Sequence, residues 1–290
     1  MNKKTFKTVL STVAAAVALS ACTMIPKYEQ PQVEVAETFK YDTFDDGIRA
    51  ADLGWQDFFA DPRLHRLIDI ALERNTDLRT AALNAEIYRK QYMIARNDLL
   101  PSINASGTGT RVGSLSGGVT RSEYTVGLGA AAYELDLFGR VRSNSQAALQ
   151  GYFSVAANRD AAHLALIAAV AKAHFNELYA QESMALAQRV LKTRETTYKL
   201  SQMRHKAGVI SAVDLRQQEA LIESAKADYA NAVKNREQAR NALATLINQP
   251  LPEDLPAALP LSKQFKITRL PAGLSSEVLL NRPDIRAAEH

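Results

Sequence analysis

SEYTVGLGAAAYELDLFGRVR, residues 122–142, changes character partway along, and that change decides the fold. Its first part alternates with period two. Tyr124, Val126, Leu128, Ala130 and Ala132 fall on one face, and Glu123, Thr125, Gly127, Gly129 and Ala131 on the other. Apolar residues alternating with small or polar ones mark a β-strand with two different faces. Asp136-Leu137-Phe138-Gly139-Arg140 then converts strand to helix. From Gly139 to about Lys206 there is no proline and only one further glycine, Gly151. A helix of that length rises about 100 Å at 1.5 Å per residue and cannot curl into a globule.

Upstream, Ser102 to Arg111 has no helical stripe and is rich in Ser, Thr and Gly, and Gly113 to Gly118 reads as a loop. Residues 102–137 are therefore expected to form a β-hairpin. Strands of about ten residues cross a bilayer when tilted. These residues alone fit a membrane hairpin and a surface hairpin of a soluble domain equally well. One hairpin cannot close a barrel, so a membrane reading requires neighbouring strands from elsewhere.

The N-terminus decides between the two. Asn2 to Lys7 carries three lysines, Val9 to Leu19 is an apolar core of eleven residues, and Leu19-Ser20-Ala21-Cys22 supplies a small-residue cleavage site. The core is too short to span a bilayer. Cys22 is the only cysteine of the chain, and a thioether-linked lipid needs a thiol there and nowhere else. Residues 1–21 read as a lipoprotein signal peptide and Cys22 as the lipidation site. Thr23 stands where aspartate would retain a lipoprotein at the inner membrane, so the outer membrane is expected. Export and lipidation favour the membrane hairpin.

With Cys22 used, no disulfide or thiol-based metal or redox site remains. The formal charge of +4 falls to +1 once Lys3, Lys4 and Lys7 leave with the signal peptide, so nucleic-acid binding gains no support. His65, His163, His174, His205 and His290 are scattered with no pair at i,i+4; solvated or packed histidines are expected, with no metal.

The rest of the chain reads in blocks. Residues 22–61 form an extended leader. Residues 62–100 form a helix opened by Asp61 as N-cap and Pro62 at the first position, and stopped by Pro101. Residues 139–249 form a long helical hairpin turning at 207–211. Its return helix carries a stripe through Leu215, Gln218, Ile222, Ala225, Tyr229, Ala232, Arg236, Ala239, Leu243 and Leu246. Gly208 suits a left-handed helix stop, and Ser211 with Asp214 three residues on suits a capping box. Residues 250–276 form a proline-marked connector. Ala71 to Ala81 aligns without gaps to Val278 to Ala288, so residues 277–290 are expected to begin a second, truncated copy of a repeat, with the chain an N-terminal half.

Leu-Ser-Ala-Cys22, Asp136 to Arg140, Gly208-Val-Ile-Ser-Ala-Val-Asp214-Leu215 and Asn281 to Arg286 together resemble the outer membrane factor family. These are the TolC-like channel lipoproteins of RND-type tripartite efflux pumps, and the resemblance runs through essentially the whole chain. It implies a mixed membrane α/β fold, mostly helical by residue count, with β-barrel strands and a very long α-helical hairpin, trimeric when full length. It implies a passive exit duct for drugs and other toxic compounds, anchored in the outer membrane and extending into the periplasm. The implied partners are a homotrimer, a periplasmic adaptor, an inner-membrane RND transporter and outer-membrane lipid; no cofactor and no nucleic acid are implied. It places Gly208, Val209, Ile210, Ser211 and Asp214 at the adaptor-docking tip. It places Asp136, Phe138, Gly139 and Arg140 at the strand–helix junction. For Asp214 two roles stay open, a helix cap alone or a cap that also gates the entrance.

No catalytic constellation is present. Gly107 to Gly113 has the wrong spacing for a phosphate loop and no helix follows it. The rival class is a periplasmic adaptor lipoprotein, which also combines a signal cysteine with a long helical hairpin. Adaptors flank that hairpin with lipoyl-like β-halves, whereas here a strand pair precedes one very long helix. A purely structural coiled-coil lipoprotein would not need the strands.

Overall fold

The computed structural model describes residues 25–29, 31, 53–113, 121–130, 133, 136–267 and 279–290. The expected signal peptide at 1–21, Cys22, most of the leader, loop residues 114–120 and residues 268–278 lie outside the described residues. The described elements are α1 (Trp55–Phe58), α2 (Pro62–Arg74), α3 (Thr76–Asn97), β1 (Ile103–Val112), β2 (Arg121–Ala130), α4 (Arg140–Lys206), α5 (Ala212–Leu246), a 3-10 turn (Leu261–Lys263) and α6 (Pro283–Glu289). They divide between two compact units, one of residues 1–34, 83–156 and 287–290, the other of 35–82 and 157–286.

The second unit holds the apolar core. Leu64, Leu67, Ile68, Ile70 and Ala71 of α2 meet Leu166, Ile167, Val170 and Ala171 of α4 and Leu243 and Ile247 around the end of α5. Fully burying a Leu or Ile contributes about 1.5–3 kcal/mol each. Phe59 belongs to this core; Phe175 meets it edge-on, and Phe265 meets Phe58 and Phe175 edge-on. The chain around Phe59 pairs with the connector, where Ala60 N donates to Gln264 O at 2.8 Å and Lys266 N to Phe58 O at 3.0 Å. All ten stripe positions of α5 are buried or half-buried, including Gln218 and Arg236.

Where one helix was expected over 62–100, the chain forms two, α2 and α3. Asn75 separates them, with extended backbone at φ −64° and ψ 128°. Its side-chain oxygen accepts from Asp77 N at 2.9 Å and Leu78 N at 3.0 Å, capping α3. Its amide group donates to Leu246 O at 3.0 Å, so the break is tied to the end of α5. Asparagine competes with the helical backbone for its own neighbours' amides, which favours a cap over helix continuation. The aligned stretches begin helices at matching positions, Thr76 of α3 and Pro283 of α6.

The first unit contains the later part of α3, the strands, the start of α4 and the tail of α6. β1 and β2 pair antiparallel from Ile103↔Ala130 to Val112↔Arg121. Ser154 Oγ donates to Ala287 O at 2.7 Å, and the hydroxyl of Tyr28 donates to Glu289 at 3.2 Å.

Candidate functional site

Directly opposed residues of a strand pair share a face. The register therefore puts Tyr124, Val126, Leu128 and Ala130 with Gly109, Gly107, Ala105 and Ile103. The other face carries Glu123, Thr125, Gly127 and Gly129 with Thr110, Thr108, Ser106 and Asn104. Hydroxyls, an amide and a carboxylate thus stand opposite an apolar face on a sheet two strands wide. Tyr124, Val126 and Leu128 are 82%, 86% and 81% exposed, so nothing in the described chain covers that face. A Cβ on Gly109 would lie 3.1 Å from the Tyr124 ring, so glycine lets the ring lie across the neighbouring strand.

The strand–helix junction is held by Asp136. Its carboxylate accepts from Val141 N at 3.2 Å and Arg142 N at 2.9 Å, satisfying two of the free amides that open α4. The Arg142 side chain adds a 3.3 Å bond to the same carboxylate and a 2.8 Å bond to the Asp136 carbonyl. Gly139 has φ +76°, a left-handed conformation, and its carbonyl accepts from Ser143 N at 2.8 Å. Phe138 is exposed beside it. Arg140 is the first residue of α4.

The helical turn has the anticipated chemistry. Gly208 has φ +72°, its N–H donates to His205 O at 2.9 Å, and Val209 N donates to Arg204 O at 2.9 Å. These two bonds form a Schellman stop. His205 Nδ1 donates to Ile210 O at 3.1 Å, tying the turn back to α4. Asp214 N donates to Ser211 Oγ at 3.1 Å and Ser211 N to Asp214 Oδ2 at 3.1 Å, closing a capping box. The Ser211 hydroxyl and amide donate to the Asp214 carboxyl and hold it below its ordinary range. Val209 and Val213 are exposed at the turn.

Sequence reasoning missed a buried polar cluster in the second unit. Asp61, His174 and Gln264 are each essentially inaccessible. Asp61 Oδ1 accepts from Arg63 N at 2.8 Å as the N-cap of α2. Its Oδ2 accepts from His174 Nε2 at 3.1 Å, Leu259 N at 3.0 Å and Gln264 Nε2 at 3.0 Å. Arg63 spans to the buried Glu177 of α4 at 3.2 Å. Burial raises the Asp61 pKa, but the donors from Gln264, His174, Arg63 and Leu259 outweigh it and keep the group ionised. Burial pushes His174 below its ordinary value more than Asp61 and Glu177 raise it, so the imidazole is neutral at pH 7. One carboxylate thus joins the start of α2, the middle of α4 and the connector. Asp61 was legible as a cap; its distant partners, 113 and 203 residues away, left no local signal.

Residues 67–249 match the family model described as outer membrane efflux protein. The chain belongs to the outer membrane efflux protein family. The crystal structure of the open state of the Neisseria gonorrhoeae MtrE outer membrane channel is similar with 71% identity and a TM-score of 0.80, covering 93% of this chain and 60% of that one. The toluene efflux pump outer membrane protein TtgC of Pseudomonas putida is 39% identical over 296 residues, covering 98% of this chain and 61% of the relative. The cation efflux system protein CusC of Escherichia coli is 34% identical over 282 residues, covering 95% of this chain and 61% of the relative. The chain therefore spans about three fifths of the length of these relatives. The described residues are mostly helical with one strand hairpin, the build of the TolC-like outer-membrane channels. Membership of this family sets the adaptor reading aside.

Proposed function

We propose that this chain is the channel-forming part of an outer-membrane duct of a tripartite efflux pump. The observation that carries the reading is the two-faced hairpin, joined through the Asp136 cap to a helix of 67 residues. The naked apolar face of Tyr124, Val126 and Leu128 suits contact with acyl chains. The Thr- and Ser-lined face suits a water-filled lumen. The helical pair α4 and α5 suits the wall of a periplasmic tunnel. Conduction is passive, driven by an inner-membrane RND transporter through a periplasmic adaptor.

In this reading one hairpin leaves open edges that only further strands can close, and the likeness to TolC-like channels supplies the number of copies, three. Cys22 carries the lipid anchor in the outer membrane, and Gly208, Val209, Ile210, Ser211 and Asp214 form the docking tip. The relatives named for toluene and for cations differ in cargo, so the duct itself imposes little chemical selection.

The test is complementation. Residues 1–290, grafted in place of the matching segment of a related channel and expressed in a strain lacking its outer-membrane channel, restore drug resistance and dye extrusion. Protein that reaches the outer membrane in full amount without restoring either refutes the reading. Spin labels along residues 121–130 check the hairpin separately, because accessibility there alternates between lipid and water with period two.

A further inference from the structure

The loop end of the β1–β2 hairpin carries a cation on each face, and the two stand in different surroundings. Arg111 pairs with Ser122 and Val112 with Arg121. Arg111 therefore continues the apolar face of Ile103, Ala105, Gly107, Gly109, Leu128, Val126 and Tyr124. Arg121 lies on the polar face with Glu123. Arg111 is exposed and meets no hydrogen-bond or ion-pair partner among the described residues. The loop sequence that follows, Ser114 to Thr120, contains no charged residue that could neutralise it.

The order of rows along the apolar face gives Arg111 a height. Ile103/Ala130, Ala105/Leu128, Gly107/Val126 and Gly109/Tyr124 come first, and Arg111/Ser122 follows. At 3.4 Å per residue the Arg111 row stands about 27 Å along the strand from the Ile103 row, or about 20 Å in height at a 40° tilt. Outer-membrane barrels carry an apolar band about 25 Å tall, edged by aromatic residues. With the Ile103 row at the lower edge of that band, Tyr124 stands about 16 Å up, near its aromatic edge, and the long Arg111 side chain snorkels from its row at about 20 Å to place the guanidinium in the headgroup layer. Its planar fork of donors matches phosphate oxygens.

We infer that Arg111 is a lipid-headgroup site, binding the phosphate of an outer-leaflet lipid whose chains lie on Tyr124 and Val126. This rests on the barrel reading of the hairpin. Arg121, one row further along and on the lumen side, has no such role.

The test compares the membrane-inserted protein and its variants in phosphatidylcholine vesicles doped with lipid A or with dephosphorylated lipid A. Lipid retained on the purified protein is read by native mass spectrometry. Arg111→Gln lowers lipid A retention about five-fold, the effect of one basic residue at a membrane surface. Arg111→Lys keeps most of it, Arg121→Gln retains lipid A in full, and retention of the dephosphorylated lipid does not change between the parent protein and Arg111→Gln. Unchanged retention in Arg111→Gln, or equal loss in Arg121→Gln, overturns the assignment. Displacement by inorganic phosphate alone also overturns it, because the ligand would then be a soluble anion. A label at position 126 quenched by brominated lipid tests the barrel reading independently. Quenching that persists in Arg111→Gln leaves that reading intact, and no quenching in the parent protein removes the barrel itself.

Discussion

Replacing Asp61 with alanine removes the one carboxylate that four donors share. The N-cap of α2 is worth about 1 kcal/mol. Gln264 Nε2 keeps its bond to Leu259 O at 2.6 Å, so its loss is small. His174 Nε2 and Leu259 N lose their acceptor in a site closed to water. Each buried donor left unpaired costs about 1–3 kcal/mol. The sum is about 3–7 kcal/mol, and even a value in its lower half, about 4 kcal/mol, is a large fraction of the 5–15 kcal/mol that holds a typical domain. Trp55 is the only tryptophan and packs edge-on against His65 with ring centroids 5.3 Å apart, so its emission reports on this unit. In urea titrations of the detergent-solubilised protein, an m-value of about 2 kcal/mol/M converts the loss into a midpoint lower by about 2 M. A shift under about 0.5 M, equivalent to about 1 kcal/mol at that slope, would refute the reasoning. It would mean that Asp61 acts as an ordinary cap and that its distant partners add nothing.

The same cluster has a pH signature. His174 resists protonation in the fold, so the unfolded chain takes up a proton first as pH falls below the ordinary histidine value of 6.5, and stability declines from there downward. Asp61, held below its ordinary 3.8, adds a second loss as pH drops through that value. His174→Gln flattens the first decline and leaves the second; an unchanged profile in Trp55 unfolding would sink the assignment. At the helical turn, a Cβ on Gly208 meets nothing within 4 Å, so any penalty comes from its φ of +72° alone. Gly208→Val therefore strains the turn by about 1–2 kcal/mol and weakens adaptor binding in pull-down, while Gly208→Asn, tolerant of that backbone, binds normally; equal binding by both variants would show that the stop is not needed. Asp214→Ala inserts normally, and if the residue also gates, single-channel conductance in planar bilayers rises; unchanged conductance leaves it a cap. Intact-mass analysis of membrane-extracted protein shows loss of residues 1–21 and added acyl mass on Cys22, and an unmodified N-terminus removes the anchor.

Local chemistry determined more of this chain than is usual, because its elements are long and their ends are marked. The alternation from Glu123 to Ala130 specified a strand and assigned its faces, since side chains in a strand alternate by geometry alone. Gly208, Ser211 and Asp214 specified the turn, because a left-handed stop and a capping box need only residues a few positions apart. The α5 stripe named its packing face through 3.6-residue periodicity. Asn75 has the chemistry of a cap, but the apolar stripe runs on across it and masks the break between α2 and α3. Only the tertiary structure decided that its amide reaches Leu246, and that Asp61 meets His174, Leu259 and Gln264. Those partners are separated by up to 203 residues, and no periodicity or motif couples positions so far apart. The physical reason is that a buried carboxylate is stable only where several donors converge on it. Convergence depends on how α2, α4 and the connector pack together, which local sequence preference does not set.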